Sequence, residues 1–147
     1  MIPRYTRPEM ASYWTDEARW NIILEIELLA AEAYCHTPEE KRAVQTLRRK
    51  AKVHVDRILE IEATTKHDVI AFLTQIEEQA GPAAKVLHRG LTSSDVLDTA
   101  LAVQMTKSLD LLIIGLKNLM VPVKALARRH ATTVLMGRSH GVHGEPI

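Results

Sequence analysis

The stretch Ser94-Asp95-Val96-Leu97-Asp98-Thr99-Ala100-Leu101-Ala102-Val103-Gln104-Met105 opens a run that continues to His130 and decides the fold class. Along it Leu97, Leu101, Met105, Leu112, Leu119, Val123 and Leu126 fall close to a heptad pattern, which predicts one long amphipathic helix. At the usual rise per residue such a helix reaches on the order of 55 Å, with Pro122 as the expected bend. An apolar stripe of that length needs partner helices. The other residues are too few to cover it, so self-association or a further C-terminal region is expected to do so.

Upstream of this run the chain punctuates itself into shorter helices. Arg4-Tyr5-Thr6-Arg7-Pro8-Glu9-Met10 reads as a short extended arm leading into a brief helix. From Thr15 or Asp16 to about Tyr34 strong helix formers dominate, and Trp20, Ile23, Leu24, Leu28 and Ala31 share one face. Thr37-Pro38-Glu39-Glu40 is a capping box that starts another helix at Pro38. Val55, Ile58, Leu59 and Glu62 keep helical spacing between Val53 and Ala63, and Thr64-Thr65-Lys66 breaks it. Val69, Leu73 and Ile76 mark the next helix, which Gly81-Pro82 stops. The expected fold is all-α: a small N-terminal helical domain over residues 1–91, then residues 92–147 opening a long-helix bundle that is cut short.

Composition limits the function classes. Of 147 residues 46% are hydrophobic and 25% charged, and the formal net charge is only +1, so the chain is neither disordered nor a general polyanion binder. A single cysteine, Cys35, excludes an intrachain disulfide and fits a reducing compartment, with the cytoplasm expected. The opening residues lack the apolar core of a signal peptide, and no apolar stretch approaches a membrane span.

Three polar clusters stand out. Thr64-Thr65-Lys66-His67-Asp68 gathers hydroxyls, a cation, an imidazole and a carboxylate at a helix start, where spacing alone favours an ordinary cap made by Thr65 or Asp68 with His67 exposed. His88-Arg89-Gly90-Leu91-Thr92-Ser93-Ser94-Asp95 puts hydroxyls and main-chain N–H groups at the start of the long helix, suited to a carboxylate or phosphate and also to a plain cap. In Gly137-Arg138-Ser139-His140-Gly141-Val142-His143-Gly144-Glu145-Pro146 three glycines interleave two histidines, and neither helical nor strand periodicity survives. Glycine allows close approach of the backbone to a ligand, and imidazole exchanges protons near neutral pH. A turn with an exposed histidine fits the same residues, and a metal site would need more than Glu145 adds.

In this order the segments resemble the adenylosuccinate lyase family of the fumarase/aspartase superfamily. The resemblance rests on residues 4–10, on Arg57-Ile58-Leu59-Glu60-Ile61-Glu62, on Lys66-His67-Asp68-Val69, on Gly90-Leu91-Thr92-Ser93-Ser94-Asp95 and on Gly137-Arg138-Ser139-His140-Gly141-Val142-His143. It implies elimination of fumarate from adenylosuccinate, giving AMP, and from a succinyl-carboxamide ribotide. By resemblance His140 is the general acid, and His67 is a second catalytic-site histidine that acts as a base partner or orients substrate. Substrate-binding roles fall on Arg4, Tyr5, Lys66, Asp68, His88, Thr92 and Ser93: Arg4 and Tyr5 at the nucleotide end, Thr92 and Ser93 at the succinyl carboxylates. Ser139 replaces the Thr and Gly144 the Ala of many relatives.

No cofactor, no metal, no nucleic acid and no membrane partner are expected, and the resemblance further implies a small nucleotide substrate and a homotetramer whose sites draw on three subunits. Family members run several hundred residues and carry the serine base on a downstream loop, so the chain by itself is expected to be inactive. Argininosuccinate lyase, other superfamily lyases and a non-catalytic helical oligomerisation module are the competing readings.

Overall fold

A computed structural model describes residues 2–147, apart from the side chain at position 3. Six helices account for most of the chain: α1 (Pro8–Ala11), α2 (Asp16–Tyr34), α3 (Pro38–Lys50), α4 (Val55–Thr65), α5 (Asp68–Ala80) and α6 (Ser93–Arg129). The fold class is all-α. One two-stranded antiparallel sheet, β1 (Met136–Ser139) with β2 (Val142–Pro146), is added near the end. The chain divides into two compact units, Met1–Leu109 and Asp110–Ile147, with α6 running from the first into the second.

Local chemistry accounts for the helix starts. Thr15 Oγ1 accepts from the Ala18 N–H at 3.1 Å. At α3 the capping box forms in both directions: Thr37 Oγ1 accepts from the Glu40 N–H, and Glu40 Oε2 accepts from the Thr37 N–H. Each such bond satisfies a donor that the first turn leaves without an intrahelical partner. The arm expected to be extended before α1 instead forms a 3-10 turn over Pro3–Tyr5. The Tyr5 N–H reaches back to the Ile2 carbonyl, so the extended reading is corrected.

The first unit has one core. The face read from α2 is buried as expected: Trp20, Ile23, Leu24, Leu28 and Ala31 all lie within it, and the Trp20 and Phe72 rings stack at 5.1 Å. Val69, Phe72 and Ile76 of α5 and Ile58 of α4 are fully buried with them. Gly81, at φ +57, ends α5, but the chain then continues as a 3-10 segment, Gly81–Val86, that packs against α3 and α5. Gly81-Pro82 is thus a helix stop inside the unit. Val96, Ala100, Gln104 and Ser108 form the buried edge of the first turns of α6. Gln104 Nε2 donates to the Tyr13 carbonyl at 2.6 Å, and Trp14 Nε1 donates to Ser108 Oγ at 2.9 Å.

In the second unit Leu112, Leu116, Leu119, Met120, Val123 and Leu126 are exposed on α6. Pro122 lies inside the helix. The segment read as lacking any strand pattern is a hairpin, which corrects that reading. His140 and Gly141, at φ +52 and +77, form its two-residue turn, and positive φ at both positions matches the twist of the flanking strands. Gly137 sits at a register irregularity between Met136 and Arg138. A Cβ there would lie 2.7 Å from the Glu145 carbonyl oxygen, so only glycine fits.

Candidate active site

Three non-glycine residues have left-handed backbone among the described residues: Lys66 (φ 54), His88 (φ 57) and His140 (φ 52). All three are candidate site residues. An L-residue in that region costs ~1–2 kcal/mol, and such conformations persist only where the surrounding structure over-determines them, often at functional sites. Each of the three polar clusters therefore carries one constrained residue.

Lys66 caps the C-terminus of α4 and donates its N–H to the Glu62 carbonyl at 2.9 Å. Its left-handed turn reverses the chain into α5. His67 is the N-cap of α5, its Nδ1 accepting from the Ile70 N–H at 3.4 Å. An Nδ1 that accepts leaves the proton of the neutral ring on Nε2, which has no protein partner among the described residues. The cap expected from Thr65 or Asp68 is thus made by His67 itself, so one residue both caps the helix and carries the site reading. Asp68 is half-buried: Oδ1 accepts from the Val69 N–H at 2.7 Å, and Oδ2 pairs with Arg19 Nη2 at 3.2 Å. An open depression of about 380 Å³ lined by Leu59, Glu62, Ala63 and Lys66 lies beside the turn.

His88 follows the 3-10 segment. Its main-chain N–H donates to Glu27 Oε2 at 2.7 Å, and its Nδ1 lies 2.6 Å from Glu27 Oε1. Next to it Arg89 Nη1 donates to Glu40 Oε1 at 2.7 Å. This pairing, helped by the Thr37 and His36 N–H groups, pulls the Glu40 carboxyl down to about 2. At the start of α6 the Thr92 N–H donates to Asp95 Oδ2 at 2.8 Å, a cap that leaves the Thr92 side chain exposed beside half-buried Ser93. Arg4 Cζ stands 4.8 Å over the Tyr5 ring, and Tyr5 is exposed.

Neighbours are thus joined within each cluster. Among the described residues no hydrogen bond or ion pair joins the His67 group, His88 and the Arg4-Tyr5 pair to one another. His140 belongs to the second unit and is exposed on the hairpin turn. An apolar groove of about 500 Å³ lined by Ile22, Ile26, Leu29 and Val103 contains none of the candidates. Glu27 and Arg19, which hold His88 and Asp68, escaped the sequence reading. Glu27 could have been noticed, because it falls on the same helical face as Ile23, Leu24 and Leu28.

The model of a lyase family matches residues 4–147, nearly the whole chain. The chain belongs to the lyase family. Within this lyase family it is similar to the adenylosuccinate lyase of Synechocystis sp., at 48% identity over 150 residues, covering all of this chain and 34% of that protein. It is also similar to the adenylosuccinate lyase of Bacillus subtilis, at 46% identity, covering 99% of this chain and 34% of that one. A solved fumarate lyase from Mesorhizobium sp. shares the fold with a TM-score of 0.85 at 24% identity, covering 94% of this chain and 34% of that one. This lyase chain spans about a third of the length of the curated relatives it matches.

Proposed function

We propose that the chain forms the N-terminal third of an adenylosuccinate lyase, with residues 1–91 as its N-terminal helical domain and 92–147 opening its bundle domain. The observation that carries this reading is 46–48% identity over essentially the whole chain to two proteins of that name. The confinement of left-handed non-glycine backbone to the three site clusters supports it.

In the elimination a base takes a proton from the carbon next to a succinyl carboxylate. The C–H electron pair becomes the second bond of fumarate, and the C–N pair leaves on the purine nitrogen. His140 protonates that nitrogen. Arg4 suits the phosphate by its forked guanidinium, with Tyr5 beneath it. Thr92 and Ser93, at the N-terminal end of α6, receive succinyl carboxylate, where helix polarity favours anions. His67, presenting Nε2–H, orients the substrate together with Lys66 and Asp68. The base comes from outside these residues.

The enzyme works as a homotetramer in the cytoplasm. The exposed apolar residues of α6 between Leu112 and Leu126 support assembly, because a continuous stripe of this kind is an association surface. No described helix is long and apolar enough to cross a membrane. The test is product formation by the full-length enzyme offered adenylosuccinate and argininosuccinate separately. Fumarate and AMP from the first are expected. Turnover of argininosuccinate alone would overturn the assignment.

A further inference from the structure

Glu27 lies midway along the buried face of α2, and none of its side chain is exposed. Removing a carboxylate from water is costly unless hydrogen-bond donors replace the lost solvent. Both partners come from a single residue: the His88 main-chain N–H reaches Oε2, and His88 Nδ1 reaches Oε1. The residue so held has φ +57 and lies 61 positions away in sequence. Its side chain keeps 20% exposure, and Nε2 has no protein partner among the described residues. A two-point grip therefore fixes the backbone and one edge of the imidazole while leaving the other edge open.

We infer that Glu27 is a positioning residue: its buried carboxylate clamps the backbone and Nδ1 of His88, fixing the ring so that Nε2 faces the bound substrate. The inference rests on the proposed adenylosuccinate lyase activity, in which His88 is a substrate-side group. A carboxylate oxygen opposite Nδ1 accepts, so the proton stays on Nδ1 and Nε2 is the nitrogen offered outward. Glu27→Gln has nearly the same shape but a different pattern. The main-chain N–H of His88 can only donate, so it takes the amide oxygen, and the amide NH2 is left opposite Nδ1. Nδ1 must then accept, which moves the ring proton to Nε2 while the contact to the backbone survives.

The experiment compares fumarate release from adenylosuccinate by the full-length enzyme, Glu27→Gln, His88→Gln and the double variant, with melting temperatures alongside. Carboxylates that orient a metal-bound histidine are typically worth ~10–100-fold, and the same orienting role sets the scale expected for Glu27. Glu27→Gln should raise KM by about that factor with its melting temperature nearly kept, and the double variant should be no worse than His88→Gln alone. A structural role would instead lower kcat at constant KM by reducing the folded fraction. An unchanged KM in Glu27→Gln, or a Glu27→Gln loss that repeats in full on His88→Gln, overturns the inference while the substrate assignment stands. An unsubstituted enzyme that releases no fumarate rejects the substrate assignment itself, and the inference with it.

Discussion

Arg19 and Asp68, 49 positions apart in sequence, meet across α2 and α5 with Nη2 3.2 Å from Oδ2. The same guanidinium lies 4.9 Å over the Trp20 ring, which stacks on Phe72. The carboxylate beside His67 is therefore tied to the core of the first unit through one arginine. Both partners of the ion pair keep about a third of their exposure, so the pair contributes only ~0.2–1 kcal/mol after solvent screening. Arg19→Met removes both this pair and the guanidinium's contact with the Trp20 ring, so the loss of stability should be on the order of 1–2 kcal/mol. Its larger effect should be a raised KM for adenylosuccinate as Asp68 loses its anchor. Thermal unfolding and steady-state kinetics check both, and an unchanged KM would show that Arg19 does not place Asp68.

The Arg89–Glu40 contact predicts an acid sensitivity. Glu40 falls from 4.5 to about 2 on folding, first because Arg89 bonds it and then because the Thr37 and His36 N–H groups do. A carboxyl depressed on folding stabilises the native state fully above the unfolded value, and that contribution disappears as the pH falls from about 4.5 towards 2. Arg89→Met removes the largest cause, so the folded value rises and less stability is lost across that window. Denaturant midpoints followed by circular dichroism at several acid pH values test this. An identical pH dependence in Arg89→Met would contradict it.

Lys66 offers a separation of stability from function. Its φ of 54 at the end of α4 is a conformation that glycine adopts freely, so Lys66→Gly should relieve ~1 kcal/mol of backbone strain. The melting temperature is expected to rise while binding of the anionic substrate weakens. A lower melting temperature would show that the lysine side chain outweighs the strain.

The parts of the fold legible in sequence are those set by neighbouring residues. The capping box at Thr37 and Glu40, the buried face of α2 and the long α6 all follow from periods and caps that operate within a few turns. The hairpin was not legible, because three glycines erase the alternation of a strand and the His140-Gly141 turn lacks the usual Asn or Asp. Of the candidate site, the motif residues could be read as clusters, but the groups that hold them could not. Arg19 reaches Asp68 and Glu27 reaches His88 only after α2 is laid against distant segments. Long-range pairs of this kind have no signature in local spacing.

In the proposed elimination His140 on the hairpin turn gives its proton to the departing nitrogen. The direct measurement is fumarate release by the full-length enzyme and its His140→Gln variant, with equilibrium binding of adenylosuccinate measured on both. His140 is exposed at the turn, so its substitution leaves the core untouched, and circular dichroism monitors folding. General acid catalysis is typically worth ~100 to 10,000-fold, and the interaction forms as the C–N bond breaks rather than in the ground state. His140→Gln should lose turnover in that range or beyond while its Kd stays within a few-fold. Near-normal turnover in His140→Gln would contradict it.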